Sequence, residues 1–502
     1  MTEPQGAASP EQRETVAFLT RRAAAPPVET HISYVFLGQD TVWKLKKAVR
    51  LPFLDFTRLE DRHHFCQREL ALNAPAAPGL YRDVAPIVRQ QDGSLTIGGT
   101  GEVRDWVVRM ARVPAGDFLD VLAAASGLSP PLLDRIADAV AAWHLALPPV
   151  LGLRPDMEAI AEGNARSAAA AGLPDTEVLA WRDAMLAGLK ARVPWRDARA
   201  AAGFVRRCHG DLHLGNLCLW RGQPVLFDAL EFDEAMATID VAYDLAFLLM
   251  DLEHRLDRAA ANRVLNRYVA RTADADLVGG LPVFLSMRAM VRAHVEARSG
   301  HAGRVGAYLT AAARYLEPHA PIVIAVGGLP GTGKSTLARA LAPSLGAAPG
   351  ALVLRSDEIR KRQHGAEPER RLPQSAYTEQ KSVAVFSELA RLLEVAARGG
   401  QAVIADATFL NLAHRSLVEA AAKRAGAPFL GIWLSAPHDA LERRIIARTG
   451  DASDATLDVL RAAIPSDPGP AGWHAVDTSN GAAAQTRAIT LANCLISSHI
   501  VS

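Results

Sequence analysis

The run from Pro321 to Thr336, P-I-V-I-A-V-G-G-L-P-G-T-G-K-S-T, constrains the fold of this chain more than any other stretch. Its first part, Ile322 to Val326, is a short continuous apolar segment that predicts a buried parallel strand. A glycine-rich turn follows, and then a segment with helical periodicity. The pattern G-x-x-x-x-G-K-S between a strand and a helix is typical of a loop that binds phosphate. The alternative is a glycine-rich turn that only joins the two elements.

The residue types in this turn suit phosphate chemistry. Glycines allow a tight turn that brings backbone N–H groups onto phosphate oxygens, and the start of the helix adds the positive end of its dipole. A lysine and a hydroxyl at these offsets are expected to reach the β- and γ-phosphates and to hold Mg²⁺, respectively. The predicted nucleotide-binding residues are Gly328, Gly331, Thr332, Gly333, Lys334, Ser335 and Thr336, with Ser335 also a metal ligand.

Length and composition indicate a globular protein of more than one domain. The chain has 502 residues, 49% of them hydrophobic and 22% charged, which predicts about two to four folding units. The net charge of +1 gives no general attraction to nucleic acid or to an anionic membrane. The four cysteines are far apart with no C-x-x-C pair, which argues against disulfides and against structural zinc. Without an export signal or a long apolar run, we expect a cytoplasmic protein with no membrane partner.

The N-terminal part predicts a β-hairpin that carries lysines. Ser33 to Leu37 and Thr41 to Leu45 alternate in the manner of two strands joined by a short loop. Three of the eight lysines lie in or beside the second strand. Lys44 follows Val-Trp as a phosphate-binding lysine follows V-A-I in kinase-like folds, and Glu69 on the next predicted helix is its candidate ion-pair partner. An edge strand shielded by lysines is the alternative, and Lys46, on the same face, is a rival for the role.

A second group of polar residues begins at position 209 with the run H-G-D-L-H-L-G-N. Asp211 and Asn216 are five residues apart on a predicted loop, and Asp228 follows a short apolar strand. Phosphoryl transfer needs one carboxylate to orient or deprotonate the acceptor hydroxyl, and an amide with a second carboxylate to hold Mg²⁺. The spacing therefore predicts a phosphoryl-transfer site.

Other interpretations of this region remain open. The run is also compatible with a polar surface loop, or with a zinc cluster of His209, His213 and Cys218, although zinc would leave the asparagine and the second aspartate unexplained. Asp244 begins a later helix, where it either braces the loop or lies on a solvated face. His144 lies within an apolar helical pattern, which favours a position in the core.

The H-G-D-L-H-L-G-N run and the F-D-A-L-E-F run after it resemble the catalytic and metal loops of the aminoglycoside phosphotransferase and choline kinase group, relatives of protein kinases. The likeness covers about residues 29–298 and implies a bilobal, protein-kinase-like domain. The chain departs from protein kinases in having no G-x-G-x-x-G loop near the hairpin. The residues to which the likeness gives roles are the catalytic Asp211, the metal ligands Asn216 and Asp228, and the ion pair of Lys44 with Glu69.

From Pro321 onward, strands and helices alternate, which predicts a doubly wound parallel sheet. Two predicted strands end at Asp357 and Asp406, and such sheets place ligands at the carboxyl ends of their strands. Asp406 is the expected acid on the Mg²⁺ side. Asp357 is the expected base on the acceptor side, with Arg360 one turn later to bind an anionic acceptor.

This half resembles P-loop kinases of the gluconate and polynucleotide 5′-hydroxyl kinase type, in which a basic lid closes over the nucleotide. By that likeness the lid candidates are Arg443, Arg444 and Arg448, and an ordinary solvated helix face is the alternative. We predict a phosphotransferase-like domain over residues 1–316, a linker over 317–321 and a P-loop kinase domain over 322–502.

The order of the two halves resembles tandem bacterial proteins that fuse an aminoglycoside-phosphotransferase-like domain to a P-loop kinase domain. The expected function is ATP-dependent, Mg²⁺-dependent phosphoryl transfer at two sites. The acceptors are hydroxylated small molecules or, in the second domain, a nucleic-acid 5′ end. The alternative is a regulatory ATP-binding protein or ATPase whose first domain binds a ligand without turnover. The sequence identifies neither the acceptors nor the oligomeric state.

Overall fold

The computed structural model describes residue 9 and residues 12–51, 54–447 and 453–500. The chain divides into two compact units, one within residues 1–155 and 200–244, the other within residues 156–199 and 245–502. All four cysteines are free thiols. In the described ranges, no helix combines the length and the apolar character needed to cross a bilayer.

The first unit begins with an antiparallel sheet of six strands in the order β1-β2-β3-β8-β6-β7. The predicted hairpin is confirmed as β2 and β3, with Val35 opposite Lys44. Alternation along β2 turns Tyr34 and Phe36 into a small core against α1. In chain order, the elements of residues 12–155 are α1 (Arg13–Thr20), β1 (Val28–Glu29), β2 (Ser33–Leu37), β3 (Thr41–Lys46), β4 (Arg50–Leu51), β5 (Leu54–Asp55), α2 (Leu59–Asn73), β6 (Tyr81–Arg89), β7 (Leu95–Ile97), β8 (Glu102–Ala111), α3 (Leu119–Ala124) and α4 (Pro130–Ala146).

Residues 156–316 are mainly helical, with two short antiparallel strand pairs, β10 with β11 and β9 with β12. The strand pairs belong to the first unit, and α10 to α12 belong to the second. In chain order, the elements are α5 (Met157–Ala170), α6 (Asp175–Ala191), α7 (Val193–Ala201), β9 (Val205–Arg207), β10 (Leu217–Trp220), β11 (Gln223–Leu226), α8 (Glu234–Ala237), β12 (Thr238–Asp240), α9 (Val241–Arg255), α10 (Arg258–Thr272), α11 (Leu281–Arg298) and α12 (Ala302–Tyr315).

The C-terminal part has the predicted parallel sheet, with five strands in the order β14-β15-β13-β16-β17. Its elements are β13 (Val323–Gly328), α13 (Lys334–Leu341), β14 (Leu352–Arg355), α14 (Ser356–Gln363), α15 (Glu379–Arg398), β15 (Val403–Asp406), α16 (Leu412–Arg424), β16 (Phe429–Ser435), α17 (His438–Ile446), α18 (Leu457–Ala463), β17 (His474–Asp477) and α19 (Gly481–Ile500).

The register of this sheet brings the predicted site residues to one edge. The central strand β13 is buried along its whole length, as expected for a parallel strand covered on both faces. Val326 on β13 and Arg355 at the end of β14 both pair with Asp406 at the end of β15. The turn after β13 and the residues that follow β14 and β15 therefore meet at the carboxyl ends of the strands.

Gly431 on β16 offers a test of the packing in this sheet. A Cβ atom at Gly431 would lie 2.3 Å from Cγ of the buried Trp473. Gly431→Ala is therefore expected to destabilise the second unit by about 1–3 kcal/mol through overpacking, seen as a lower melting temperature of the full chain. Gly306→Ala on α12 meets open space and should be neutral or slightly stabilising. Equal melting temperatures for the two variants would contradict this packing.

Candidate active sites

The first candidate site is built on a row of alternating charges in the first unit. Lys44 Nζ lies 2.8 Å from Glu69 Oε1 and also pairs with Asp228. Lys46 Nζ lies 2.8 Å from Glu69 Oε2 and pairs with Glu231. Glu69 thus binds one lysine with each carboxylate oxygen, and the predicted ion pair of Lys44 with Glu69 is present. The row joins β3, α2 and the loop after β11.

The lysines in this row stay charged despite their burial. Burial alone would lower the pKa of both, but the carboxylates of Asp228 and Glu69 raise the pKa of Lys44 and those of Glu231 and Glu69 raise that of Lys46. Burial would likewise raise the pKa of Glu69, and the two ammonium groups lower it instead. With three carboxylates against two ammonium groups, the row carries one excess negative charge.

The two rival lysines occupy different positions in the row. Lys46 is fully enclosed, with 0% exposure, between Glu69 and Glu231. Lys44 is 8% exposed and contacts Asp228, whose side chain is 41% exposed. Lys44 is therefore the lysine at the open end of the row. No sequence pattern pointed to Glu231, although it lies in the F-D-A-L-E-F run.

The predicted catalytic loop holds Asp211 and Asn216 together. The Asn216 side-chain amide donates to the Asp211 backbone oxygen and to Asp211 Oδ2, each at 2.9 Å. The Phe227 N–H donates to the Asn216 backbone oxygen at 3.1 Å, which brings the residue before Asp228 beside this loop. Asp228 has a positive φ of 61°, a conformation that aspartate adopts more readily than most residues, and its N–H donates to Tyr81 Oη at 3.1 Å.

His209 connects the loop of Asp211 to that of Asp228. Its Nε2 donates to the Phe227 backbone oxygen at 2.8 Å, and the Asp211 N–H donates to its Nδ1 at 3.3 Å. Burial lowers the pKa of His209, so the ring is neutral, with one nitrogen to donate and one to accept. The imidazole therefore fixes the spacing of the two loops.

Asp244 holds the same loop in place through its backbone N–H groups. It is fully buried, and its two oxygens accept from the backbone N–H groups of His209, at 3.0 Å, and Gly210, at 2.9 Å. His144, itself 2% exposed, lies 3.2 Å from the Asp244 carboxylate through Nε2. The alternative of a solvated helix face for Asp244 is thus wrong, and His144 lies in the core.

The zinc alternative at His209, His213 and Cys218 is not supported. Across the part of the chain that the structure describes, one group of His, Cys and acidic side chains has its ligand atoms within 4.8 Å of one another, and it contains none of these three residues. The polar loop instead turns its side chains to hydrogen bonds within the site.

The second candidate site surrounds the turn between β13 and α13. Gly328, Gly331 and Gly333 have φ values of 143°, 86° and 87°, a region that favours glycine. A Cβ at Gly331 would lie 2.8 Å from a backbone oxygen of the neighbouring helix α17. Lys334 Nζ donates to the backbone oxygens of Gly328 and Leu329, each at 3.0 Å, so its side chain curls back over the turn. This geometry is that of the predicted phosphate loop.

Arg355 joins two predicted metal ligands. Its Nη2 lies 3.0 Å from Ser335 Oγ, its Nε lies 3.1 Å from Asp406 Oδ2, and its Nη1 lies 3.0 Å from Glu358 Oε1. The hydroxyl and the carboxylate are therefore gathered on one guanidinium, and such oxygen donors suit Mg²⁺. No sequence pattern pointed to Arg355, although it ends the strand just before S-D-E-I-R.

A cavity of about 930 Å³ opens beside the phosphate loop. Burial raises the pKa of Asp357, the charge of Asp406 adds to this effect, and Arg355 and Lys334 oppose it. A carboxylate with a raised pKa is a better proton acceptor. The predicted site residues that line the cavity are Gly331, Gly333, Lys334, Ser335, Thr336, Asp357, Arg360, Asp406 and Arg444, whereas Thr332 is buried and donates to the Leu329 backbone oxygen at 2.8 Å.

Arg360 lies in the wall of this cavity and is 6% exposed. Its Nη1 donates to the Ala376 backbone oxygen at 2.8 Å and its Nη2 to Ser382 Oγ at 3.3 Å. Its guanidinium lies 4.8 Å from the centre of the Tyr377 ring. Within the described residues, its Nε is buried and has no hydrogen-bond partner.

The three lid arginines differ in position. Arg444 donates to the Thr478 backbone oxygen at 2.8 Å and to the Gly331 backbone oxygen at 3.4 Å, which places it against the phosphate loop. Arg443 has a side chain that is 71% exposed and pairs with Asp439 at 2.6 Å. Arg448 lies outside the described residues. The structure thus brings Arg444 to the site and leaves Arg443 on the surface of the helix.

Asp454 connects the segment before α18 to α14 and to residues 372–377 of the cavity wall, contacts that no sequence motif signalled. Its carboxylate accepts from Lys361 Nζ at 3.0 Å, the Leu372 N–H at 2.9 Å and Tyr377 Oη at 2.6 Å. Burial would raise the pKa of Asp454, and these hydrogen bonds lower it instead. The cavity wall is therefore fixed by an ionised carboxylate.

Comparisons with known proteins match two separate regions of the chain. A family described as "Phosphotransferase enzyme family" matches residues 98–277, and one described as "AAA domain" matches residues 323–465. The chain therefore combines a kinase-like N-terminal region with a P-loop kinase-like C-terminal region, and its domains support a phosphotransfer function. An uncharacterized protein of Mycobacterium tuberculosis (strain ATCC 25618 / H37Rv) is 30% identical over 481 residues, which cover 90% of this chain and 92% of that protein. The chain belongs to this family of tandem bacterial proteins.

Solved structures resemble each half separately. A choline/ethanolamine kinase family protein from Mesorhizobium loti is 14% identical and covers 61% of this chain and 95% of its own, with a TM-score of 0.37. A gluconokinase from Sinorhizobium meliloti 1021 is 18% identical and covers 36% of this chain and 98% of its own, with a TM-score of 0.27. Both TM-scores are below 0.5, so neither likeness identifies a substrate.

The enclosed lysine of the first site leads to a stability prediction. Lys46→Met leaves Glu231 without its lysine and removes one of the two lysines that contact Glu69, and breaking a buried pair in this way typically costs about 3–5 kcal/mol. We expect a clear fall in the melting temperature of the first unit, which calorimetry of the full chain would measure. Arg443→Ala removes a cation from an exposed pair and should leave the melting temperature unchanged. A Lys46→Met protein as stable as Arg443→Ala would show that the row is not formed.

Proposed function

We propose that the chain is an ATP-dependent phosphotransferase with two nucleotide sites, each of which transfers the γ-phosphate of ATP to a hydroxyl group. The observation that carries this proposal is the row of Lys44, Glu69 and Asp228 beside the hydrogen-bonded pair of Asp211 and Asn216. The phosphate loop, with Lys334 folded over it, supports the second site.

In the first site, Lys44 binds the phosphates of ATP, and Glu69 fixes its ammonium group through the 2.8 Å contact. Asn216 and Asp228 would hold Mg²⁺, and the excess negative charge of the row favours a cation at its open end. Mg²⁺, when bound, would offset charge on the phosphate oxygens. Asp211 takes the proton of the acceptor hydroxyl while the hydroxyl oxygen bonds to the γ-phosphorus and the bond to ADP breaks.

In the second site, the backbone N–H groups of the phosphate loop and Lys334 bind the nucleotide, and Ser335 with Asp406 would hold Mg²⁺. Asp357 takes the proton of the acceptor hydroxyl, a task favoured by the raised pKa of this carboxyl group. Arg360, in the wall of the cavity, supplies positive charge for an anionic group of the acceptor. Of the two lid arginines that the structure describes, Arg444 is the one that contacts the loop.

The cavity favours a hydroxylated acceptor that carries an anionic group. Arg360 and Arg371 line it together with Asp357, so an acceptor with a phosphate, sulfate or carboxylate group meets cationic side chains in the same cavity as the proposed base. A nucleic-acid 5′ end shares this chemistry. Screening hydroxylated acids and 5′-hydroxyl oligonucleotides with γ-labelled ATP would identify the acceptor.

The first site is tested in full chains that carry Lys334→Ala to disable the second. Asp211→Asn should lower phosphoryl transfer, or slow ATP hydrolysis with water as acceptor, by about 10² to 10⁴-fold while Mg·ATP affinity is kept. Asp228→Asn should weaken Mg·ATP binding in calorimetric titration, because it removes a metal ligand. Asp92→Asn, in an exposed turn of the same unit, is the matched control.

Unchanged turnover in the Asp211→Asn chain would favour the regulatory alternative, in which this domain binds a ligand without catalysis. Unchanged Mg·ATP affinity in the Asp228→Asn chain would remove that residue from the metal site. Either result leaves the second site to be judged separately.

The second site is tested in chains that carry Asp211→Asn and Asp228→Asn. Asp357→Asn should keep Mg·ATP affinity and lose about 10² to 10⁴-fold in turnover. Asp406→Asn should weaken Mg·ATP binding itself, since it removes a proposed metal ligand and one of the acidic partners of Arg355. Asp439→Asn, on the exposed face of α17, is the control. Single-turnover and binding measurements that give the reverse pattern would show that the two carboxylates have exchanged roles.

A further inference from the structure

Strand β14 is an edge strand, and its open side faces α10. The sheet order places β15 on one side of β14 and no strand of the described chain on the other. The Leu352 N–H donates to the Ala402 oxygen beside β15 at 2.9 Å. Because successive residues of a strand alternate in direction, the Ala351 oxygen and the Val353 N–H point away from β15. The unpaired N–H and C=O groups on such an edge need hydrogen-bond partners or a covering element.

Two asparagines of α10 provide that cover. Asn266 Oδ1 accepts from the Val353 N–H at 2.6 Å, and Asn266 Nδ2 donates to the Ala351 oxygen at 3.3 Å. Asn262, one turn earlier and 4% exposed, donates to the same oxygen at 3.0 Å. In a parallel sheet, one residue of a neighbouring strand bonds the N–H and C=O that flank the opposite residue. The Asn266 amide makes the same pair of bonds around Leu352.

The same helix also contacts the chain that follows β14. Arg362 on α14 donates to the Ala270 backbone oxygen at 3.2 Å. Arg267 lies 2.8 Å from Glu369, and Arg271 pairs with Glu367, in the segment just before the cavity-lining residues Arg371 and Leu372. Helix α10 therefore holds β14, α14 and the segment after it on the acceptor side of the second site.

We propose that α10 is a functional part of the P-loop site, with Asn262 and Asn266 as positioning residues for Asp357. Helix α10 lies within the region matched by the phosphotransferase family, before the linker at 317–321. Asp357 is four residues after Val353, so a shift of β14 moves the proposed base. The phosphate loop follows the central strand β13, which pairs with β15 and β16 and not with β14. This inference rests on the proposed role of Asp357.

The proposal separates turnover from nucleotide affinity. In full chains that carry Asp211→Asn and Asp228→Asn, Asn266→Leu keeps the size of the side chain and removes both bonds to β14. The kcat of ATP hydrolysis should fall by about tenfold or more, while the Kd for Mg·ATP stays within about twofold. Ala259→Leu, which puts the same side chain on the exposed part of α10, is the matched control and should change neither quantity.

Hydrogen exchange gives a second, local readout. Asn266→Leu should speed amide exchange at residues 352–357 and leave that of α13 unchanged, and Asn266→Asp, which keeps the acceptor for the Val353 N–H, should retain protection at that amide. Unchanged exchange in Asn266→Leu would overturn the proposal, as would unchanged kcat beside a low kcat in Asp357→Asn, or an equal loss of affinity and turnover. If Asp357→Asn itself leaves kcat unchanged, the proposed function of the second site fails, and exchange at β14 alone then decides whether α10 positions this strand.

Discussion

The first unit depends on the contacts between the Glu69 carboxylate and two buried lysines. Removing an ammonium group from water costs several kcal/mol even after the protein relaxes, and Lys44 and Lys46 are both buried. Glu69 offsets that cost for both because each of its oxygens lies 2.8 Å from one of them. The row forms only when the hairpin, α2 and the loop after β11 pack together. The contacts with Glu69 that offset the cost of burying the lysines therefore also hold the parts of the site together.

In the second site, an arginine brings together side chains from several elements. A guanidinium donates in several fixed directions and stays charged, so Arg355 can bind Ser335, Asp406 and Glu358 at the same time. These partners come from α13, the end of β15 and α14. The lysine row gathers a site from one sheet, one helix and a loop. Arg355 gathers another from the carboxyl ends of parallel strands, where the register alone brings the residues near.

The sequence predicted those parts of the two sites that depend on local spacing. The strand, turn and helix around Lys334 follow from glycine and apolar positions within sixteen residues, and the hairpin that carries Lys44 follows from alternation. Contacts between distant residues were not predictable in this way. Glu231 is separated by 185 residues from Lys46, and nothing in a run such as F-D-A-L-E-F tells which carboxylate turns inward. Arg443 and Arg444 are neighbours in sequence, and only the packing of α17 against the phosphate loop separates their positions.

The edge strand β14 of the parallel sheet shows that a linker is easier to recognise from composition than the boundary of a folded domain is. Glu317 to Pro321 has the composition of a linker, yet the partner that closes β14 is an asparagine on α10, before it. A helix that covers a strand edge with an amide leaves no alternating pattern in the sequence, because one side chain replaces a strand. The match to the mycobacterial protein runs through both halves over 481 residues. Because α10 in the preceding half closes the edge of the P-loop sheet, a chain cut at the linker exposes the Ala351 oxygen and the Val353 N–H, and the second site has to be studied in the full chain.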